Sequence, residues 1–168
     1  PLDEFKIEVK DKDEIFGSAI RVRKDEFAFA GVDELDIPPL KVPDSRAINM
    51  WMDYAGDEMM VNYINPEEQH VEIPVVIEGG LPGEYTMNFK GLSKFRDFQC
   101  MNLYNEQTGD QIEINAGTHY TIKIDEDLAA QHFKILLSKQ DYEDCMAPTD
   151  LSGEQLQVFA TNKTIVAD

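Results

Sequence analysis

Positive charge is scarce in this chain: 15 Lys and Arg stand against 33 Asp and Glu, for a formal net charge of -18. That excludes nucleic acid as an expected partner, because such affinity comes from Lys and Arg displacing phosphate counterions. An anionic membrane surface is disfavoured for the same reason. No apolar run approaches the roughly 20 residues that cross a bilayer, so no membrane insertion is expected. Histidine is limited to His70, His119 and His132, tryptophan to Trp51 and cysteine to Cys100 and Cys145. There is no Gly-x-Ser-x-Gly elbow, no His-Glu-x-x-His pair and no Gly-rich phosphate loop, so no common catalytic motif is available. Amphipathic helix periodicity is missing beyond one turn at Leu128 to Gln131. The chain opens on Pro1 with neither an initiator Met nor a secretory signal, and is expected to be a fragment or a processed product.

What is present is alternation. Phe5, Ile7 and Val9 alternate with Lys6, Glu8 and Lys10; Tyr85, Met87 and Phe89 alternate with Glu84, Thr86, Asn88 and Lys90; Tyr120, Ile122 and Ile124 alternate with His119, Thr121 and Lys123. A period of two describes strands with one face in a core and the other in water. Further strands are expected at Ala19 to Arg23, Glu26 to Ala30, Ile48 to Tyr54, Met59 to Ile64, His70 to Glu78, Gln99 to Tyr104, Gln111 to Ile114 and His132 to Ser138. Asn105 to Asp110 reads as a turn with Gly109 at positive φ, and Asn115-Ala116-Gly117 as a tight hairpin between Ile114 and Thr118. Pro38, Pro39 and Pro43 mark a non-repetitive connection. About ten short strands with turn signals between them predict an all-β, antiparallel β-sandwich, jelly-roll-like, over residues 1–140. Residues 141–155 read as an acidic linker, and residues 156–168 return to strand character as the start of a truncated second domain.

Four sets of residues are candidates for chemistry. Cys100 and Cys145 are read as a disulfide that pins the linker to the sandwich in an oxidising compartment, the alternative being two unrelated thiols. Asp11 to Glu14 and Asp125 to Asp127 offer carboxylates at calcium-like spacing, although neither matches a twelve-residue EF-hand loop; no cofactor is expected beyond that calcium option. Trp51 alternates with Met50 and Met52, which turns it outward if they point inward. With Tyr54 and Tyr63 it would form a platform for stacking sugars, and otherwise these aromatics belong to the core. Carboxylate pairs are the acid and base of glycoside hydrolysis, but with this many acids chance proximity is uninformative.

The order of features from Ile73 to Ser138 resembles a known family. Ile73-Pro74-Val75-Val76-Ile77 precedes Tyr85-Thr86-Met87-Asn88-Phe89-Lys90-Gly91-Leu92. Then come Leu103-Tyr104-Asn105, Thr108-Gly109 and His132-Phe133-Lys134-Ile135. This is similar to the β-sandwich modules near the C-termini of large Bacteroidetes proteins exported by the type IX secretion system. In those modules a Y-T-L-x-F-x-G-L strand leads to L-x-D-x-x-T-G and then to R-F-x-I/L. Met87, Asn105 and His132 replace the usual Leu, Asp and Arg. The tail from Leu156 resembles the opening of the sorting domain that such proteins carry. The resemblance implies a non-catalytic structural or adhesive module, secreted or on the cell surface, whose partners are the secretion machinery and surface glycans or proteins. A carbohydrate-binding module and a small hydrolase are the rival expectations.

Overall fold

The computed structural model describes residues 2–29, 31–126, 130–140 and 142–146. The strands in order are β1 (Glu4–Asp11), β2 (Gly17–Lys24), β3 (Ile48–Tyr54), β4 (Asp57–Met59), β5 (Val61–Ile64) and β6 (His70–Gly79). They continue with β7 (Gly83–Lys90), β8 (Cys100–Asn105), β9 (Gln111–Glu113), β10 (His119–Ile124) and β11 (Gln131–Ser138). Two short 3-10 turns, Leu92–Phe95 and Tyr142–Cys145, are the helical elements among the described residues.

The strands form two sheets. One has the order β10-β7-β1-β2-β5 and the other β4-β3-β6-β11-β8-β9. Every pairing is antiparallel except β2 with β5, which is parallel. The all-β sandwich expected from the alternation is the fold observed; the two strand orders define it without establishing a jelly-roll winding.

The period-two pattern decides which side chains meet. Phe5, Ile7 and Val9 of β1, Ile20 and Val22 of β2, and Tyr85, Met87 and Phe89 of β7 turn inward from the first sheet. Met50 and Met52, Ile73, Val75 and Ile77, and Phe133, Ile135 and Leu137 turn inward from the second. Polar contacts also join the sheets, among them the Met50 amide donating to Ser18 Oγ at 3.0 Å. Phe95 closes one end of the core edge-on to Phe5, with ring centroids 4.7 Å apart. Lys24 holds that end by donating to Asp97 and to the Lys94 carbonyl while lying over the Phe95 ring.

Three local expectations are corrected. Of the expected strand Glu26 to Ala30, residues 26–29 are not a strand, Ala30 lying outside the described residues: Asp25 accepts the Phe27 amide and the Ala28 amide bonds back to the Asp25 carbonyl, which closes a turn. Met59 to Ile64 is two strands rather than one, because β4 belongs to the second sheet and β5 to the first. Asn115 to Gly117 is not a hairpin. It carries the chain from β9 in one sheet to β10 in the other, with Asn115 Oδ1 accepting the Gly117 amide, and Gly117 is not among the positive-φ glycines. Gly109 does take positive φ, at 79°. The expected helical turn at Leu128 falls outside the described residues, except that Gln131 opens β11. The expected second domain at 156–168 and most of the 141–155 linker also lie outside them.

Two glycines separate conformational strain from steric conflict. Gly91 has φ 81°, and a Cβ there would lie 2.4 Å from the Glu4 carbonyl oxygen. Gly109 has φ 79° with nothing within 4 Å of its would-be Cβ. Gly109→Ala is expected to cost about 1 kcal/mol for the left-handed backbone alone. Gly91→Ala should cost more, about 2–3 kcal/mol, because β1 must also move. Urea unfolding of both variants measures the difference, and equal costs would show that the Gly91–β1 approach is not tight.

Candidate functional site

The outward faces of the two sheets differ. On the second sheet the outer face is covered at both ends. Cys100 of β8 and Cys145 of the second 3-10 turn form a disulfide with Cα atoms 6.2 Å apart. Together with Leu136 they make a small buried cluster outside the main core. The Cys145 carbonyl accepts from Asn102 Nδ2 and Gln111 Nε2, each at 3.0 Å. The expected disulfide is therefore present, and Cys145 is buried against the sandwich. A bridge over a separation of 45 residues removes unfolded-chain entropy worth about 4 kcal/mol on the loop-closure model.

At the other end lies Trp51, which does point away from Met50 and Met52, yet it is 4% exposed. Lys41 Nζ sits 3.7 Å from the centre of its ring and also pairs with Glu58 at 2.8 Å. Tyr54 belongs to the opposite face of β3, packs on the core and donates to Asn62 Oδ1 at 3.1 Å. Burial pushes its phenol well above the usual range. Tyr63 lies on β5 in the other sheet, where its hydroxyl accepts from Arg23 at 2.8 Å. The three aromatics thus occupy three environments and make no common stacking platform, because the reach of Lys41 and the parity of β3 separate them.

Between the covered ends runs an open groove of about 230 Å³ lined by Asp53, Glu106, His132, Pro74 and Val76. Both carboxylates have structural partners. Asp53 accepts the Gly56 amide at 2.7 Å in the β3–β4 turn, and Glu106 pairs with Lys134 at 3.6 Å. The other histidines lie elsewhere: His70 Nδ1 is 3.2 Å from Ser138 Oγ, and His119 Nδ1 is 2.5 Å from Asn88 Oδ1. Asp11 accepts the Ile15 and Phe16 amides in the β1–β2 turn. Asp125 lies 4.0 Å from Lys123, and Asp127 falls outside the described residues. Among the described residues no three His, Cys, Asp or Glu side chains converge as a metal-ligand set.

The largest feature that strand patterning passes over is the connection between β2 and β3. Phe27, Phe29, Val32, Leu35, Ile37, Leu40 and Val42 are all exposed there, Phe27 at 75%, Phe29 at 73% and Leu40 at 88%. The segment is nonetheless well tied down. Asp33 accepts the Phe29 and Leu35 amides, Asp36 Oδ1 accepts the Tyr63 amide at 2.7 Å, and Asn62 donates to the Gly31 carbonyl and to Asp36. Ile37 bridges to Val61, and Asn49 makes a reciprocal pair of bonds with the Val42 backbone. Polar anchors fix the backbone while the apolar side chains face solvent. The signal in the sequence was an apolar count too high for a loop.

The first sheet turns a charged face outward. Glu8 is buried among Lys6, Lys10 and Lys90, with Lys90 Nζ at 2.9 Å. Hydrogen bonds from Lys6 and Lys90 hold its carboxyl down at about 2. No protein-family model matches the chain, and neither a curated protein nor a solved structure does.

Glu8 makes a pH prediction. Its folded-state pKa lies below the ordinary 4.5, so its ion pairs stabilise the fold fully above about pH 4.5, and that contribution is lost as the pH falls towards 2. Glu8→Gln should therefore be less stable than the wild type near neutral pH, with the gap closing between pH 4.5 and 2. Denaturant melts across that range measure it; a gap independent of pH would contradict the assignment.

Proposed function

We propose that this chain is a non-catalytic adhesive or structural β-sandwich module of a secreted or cell-surface protein. The observation that carries the reading is the ridge of exposed apolar side chains from Phe27 to Val42, held on a hydrogen-bonded backbone. Exposed apolar side chains grouped along one segment in this way mark a contact surface for other macromolecules. A backbone fixed in advance also reduces the ordering cost of binding. The disulfide supports an oxidising location, since such bridges persist outside the reducing cytosol. The similarity of Ile73 to Ser138 to modules of type IX secretion cargo supports export by that route in a Bacteroidetes cell. The machinery would then be engaged through a C-terminal sorting domain, and surface glycans or proteins would be the adhesion targets.

The test is adhesion. Beads bearing the protein should attach to the outer surface of the cells that export it. The variant Phe27→Ser/Phe29→Ser/Leu40→Ser should lower attachment at least fivefold while leaving the unfolding midpoint within about 2 °C, because the three side chains are exposed. Unchanged attachment by the folded variant would refute the ridge as the adhesive surface.

A further inference from the structure

The outer face of the β10-β7-β1-β2-β5 sheet has the opposite charge from the rest of the chain. Lys6, Lys10, Arg21, Arg23, Lys90 and Lys123 project from it, against Glu4, Glu8 and Glu84, on a protein of net charge -18. The register sets like charges side by side: Lys6 lies directly opposite Arg21 on one flank and Lys90 on the other. Cross-strand like-charge neighbours are destabilising. Glu8 and Glu4 relieve this row only in part, because the single charge of Glu8 is shared by Lys6, Lys10 and Lys90 and that of Glu4 by Arg21 and Arg23. Beside this row the side chains are small. Gly17 stands opposite Lys10, and Ala19 opposite Glu8. The result is an open trough of about 360 Å³ lined by Gly17 and Ala19, by Lys6, Lys10 and Arg21, and by Glu8, whose charge is taken up by its lysine partners.

We infer that this trough binds an acidic polysaccharide, one bearing carboxylate or sulfate groups along its length. The points where cations converge are already filled by the chain's own carboxylates: Lys6, Lys10 and Lys90 meet on Glu8, and Arg21 and Arg23 on Glu4. The positive charge left over is spread along the face and does not form a pocket for a single small anion. The cations run in a line over β7, β1 and β2, roughly 10 Å across at ordinary strand spacing. That arrangement suits a linear polymer whose charges repeat. Thr86, Asn88 and Thr121 lie on the same face towards β10 and offer hydroxyl and amide partners for sugar hydroxyls. Single-stranded nucleic acid fits less well, because its binding relies on aromatic stacking platforms. Tyr63, at the β5 edge beside Arg23, is the one aromatic that these strands place on the face. A duplex would meet the acidic remainder of the molecule. The inference is independent of the apolar ridge, which belongs to the β2–β3 connection.

The full chain is to be titrated with heparin and polygalacturonate as sulfated and carboxylated probes, alongside neutral dextran, polyglutamate and single-stranded DNA. Binding to at least one acidic polysaccharide is expected. It should weaken at least tenfold from 50 to 300 mM salt and be absent for dextran. Lys6→Gln/Arg21→Gln should weaken it at least tenfold. Ala19→Glu should do the same while leaving the Glu8 ion pairs in place, which separates loss of the trough from loss of the fold. Arg46→Glu, outside this sheet, should bind as the wild type does. Failure of both acidic polysaccharides to bind, tighter binding of polyglutamate or DNA, or full binding by a folded Ala19→Glu variant would overturn the inference.

Discussion

The structure depends on one constraint: the inner faces of two sheets interdigitate, and each strand has only two faces to offer. Once Phe5, Ile7 and Val9 are committed to the core, Lys6, Glu8 and Lys10 must face water, and the cross-strand register then fixes which charges become neighbours. A slip of one residue would exchange the two sets and bury the charges, so the register is strongly specified. The outer surfaces that could carry function are therefore consequences of core packing. They also inherit its rigidity, because a close-packed interior resists small displacements.

That constraint explains what could be read from the sequence. The strands with clear alternation, such as Ile48 to Tyr54, stand where the pattern put them. Gln99 to Tyr104 and His132 to Ser138 shift by a single residue. Alternation is local and carries no information about partner strands. That is why Asn115 to Gly117 looked like a hairpin while joining different sheets, and why the break at Met60 between β4 and β5 went unseen. Glu26 to Ala30 has strand-like composition, but the Asp25 side chain captures the backbone before a ladder can form. The outward turn of Trp51 follows from parity. Its cover by Lys41 comes from a distant loop, which no local pattern reports.

The candidate surfaces were hidden for a related reason. The basic face assembles residues from β1, β2, β7 and β10, and nearly the whole length of the described chain separates Lys6 from Lys123. Net charge obscured it, since a total of -18 says nothing about how the minority charge is distributed. The apolar ridge is contiguous in sequence, but only the anchors at Asp33, Asp36 and Asn49 show that its side chains stay outside instead of folding over an edge. Together the two surfaces give an acidic body one apolar and one cationic face, which we propose as its contact regions. Long-range repulsion then works against indiscriminate association, and short-range contacts are left to choose the partner.

The sandwich is closed by the Cys100–Cys145 bridge, which we propose forms outside the cytosol. The most direct measurement is the mass of protein collected from the exterior of producing cells and alkylated under denaturing conditions with and without reductant. No alkylation is expected without reductant, and both Cys100 and Cys145 should be alkylated after reduction, with a fall in stability of about 4 kcal/mol. Two thiols that alkylate without reduction would contradict the proposal.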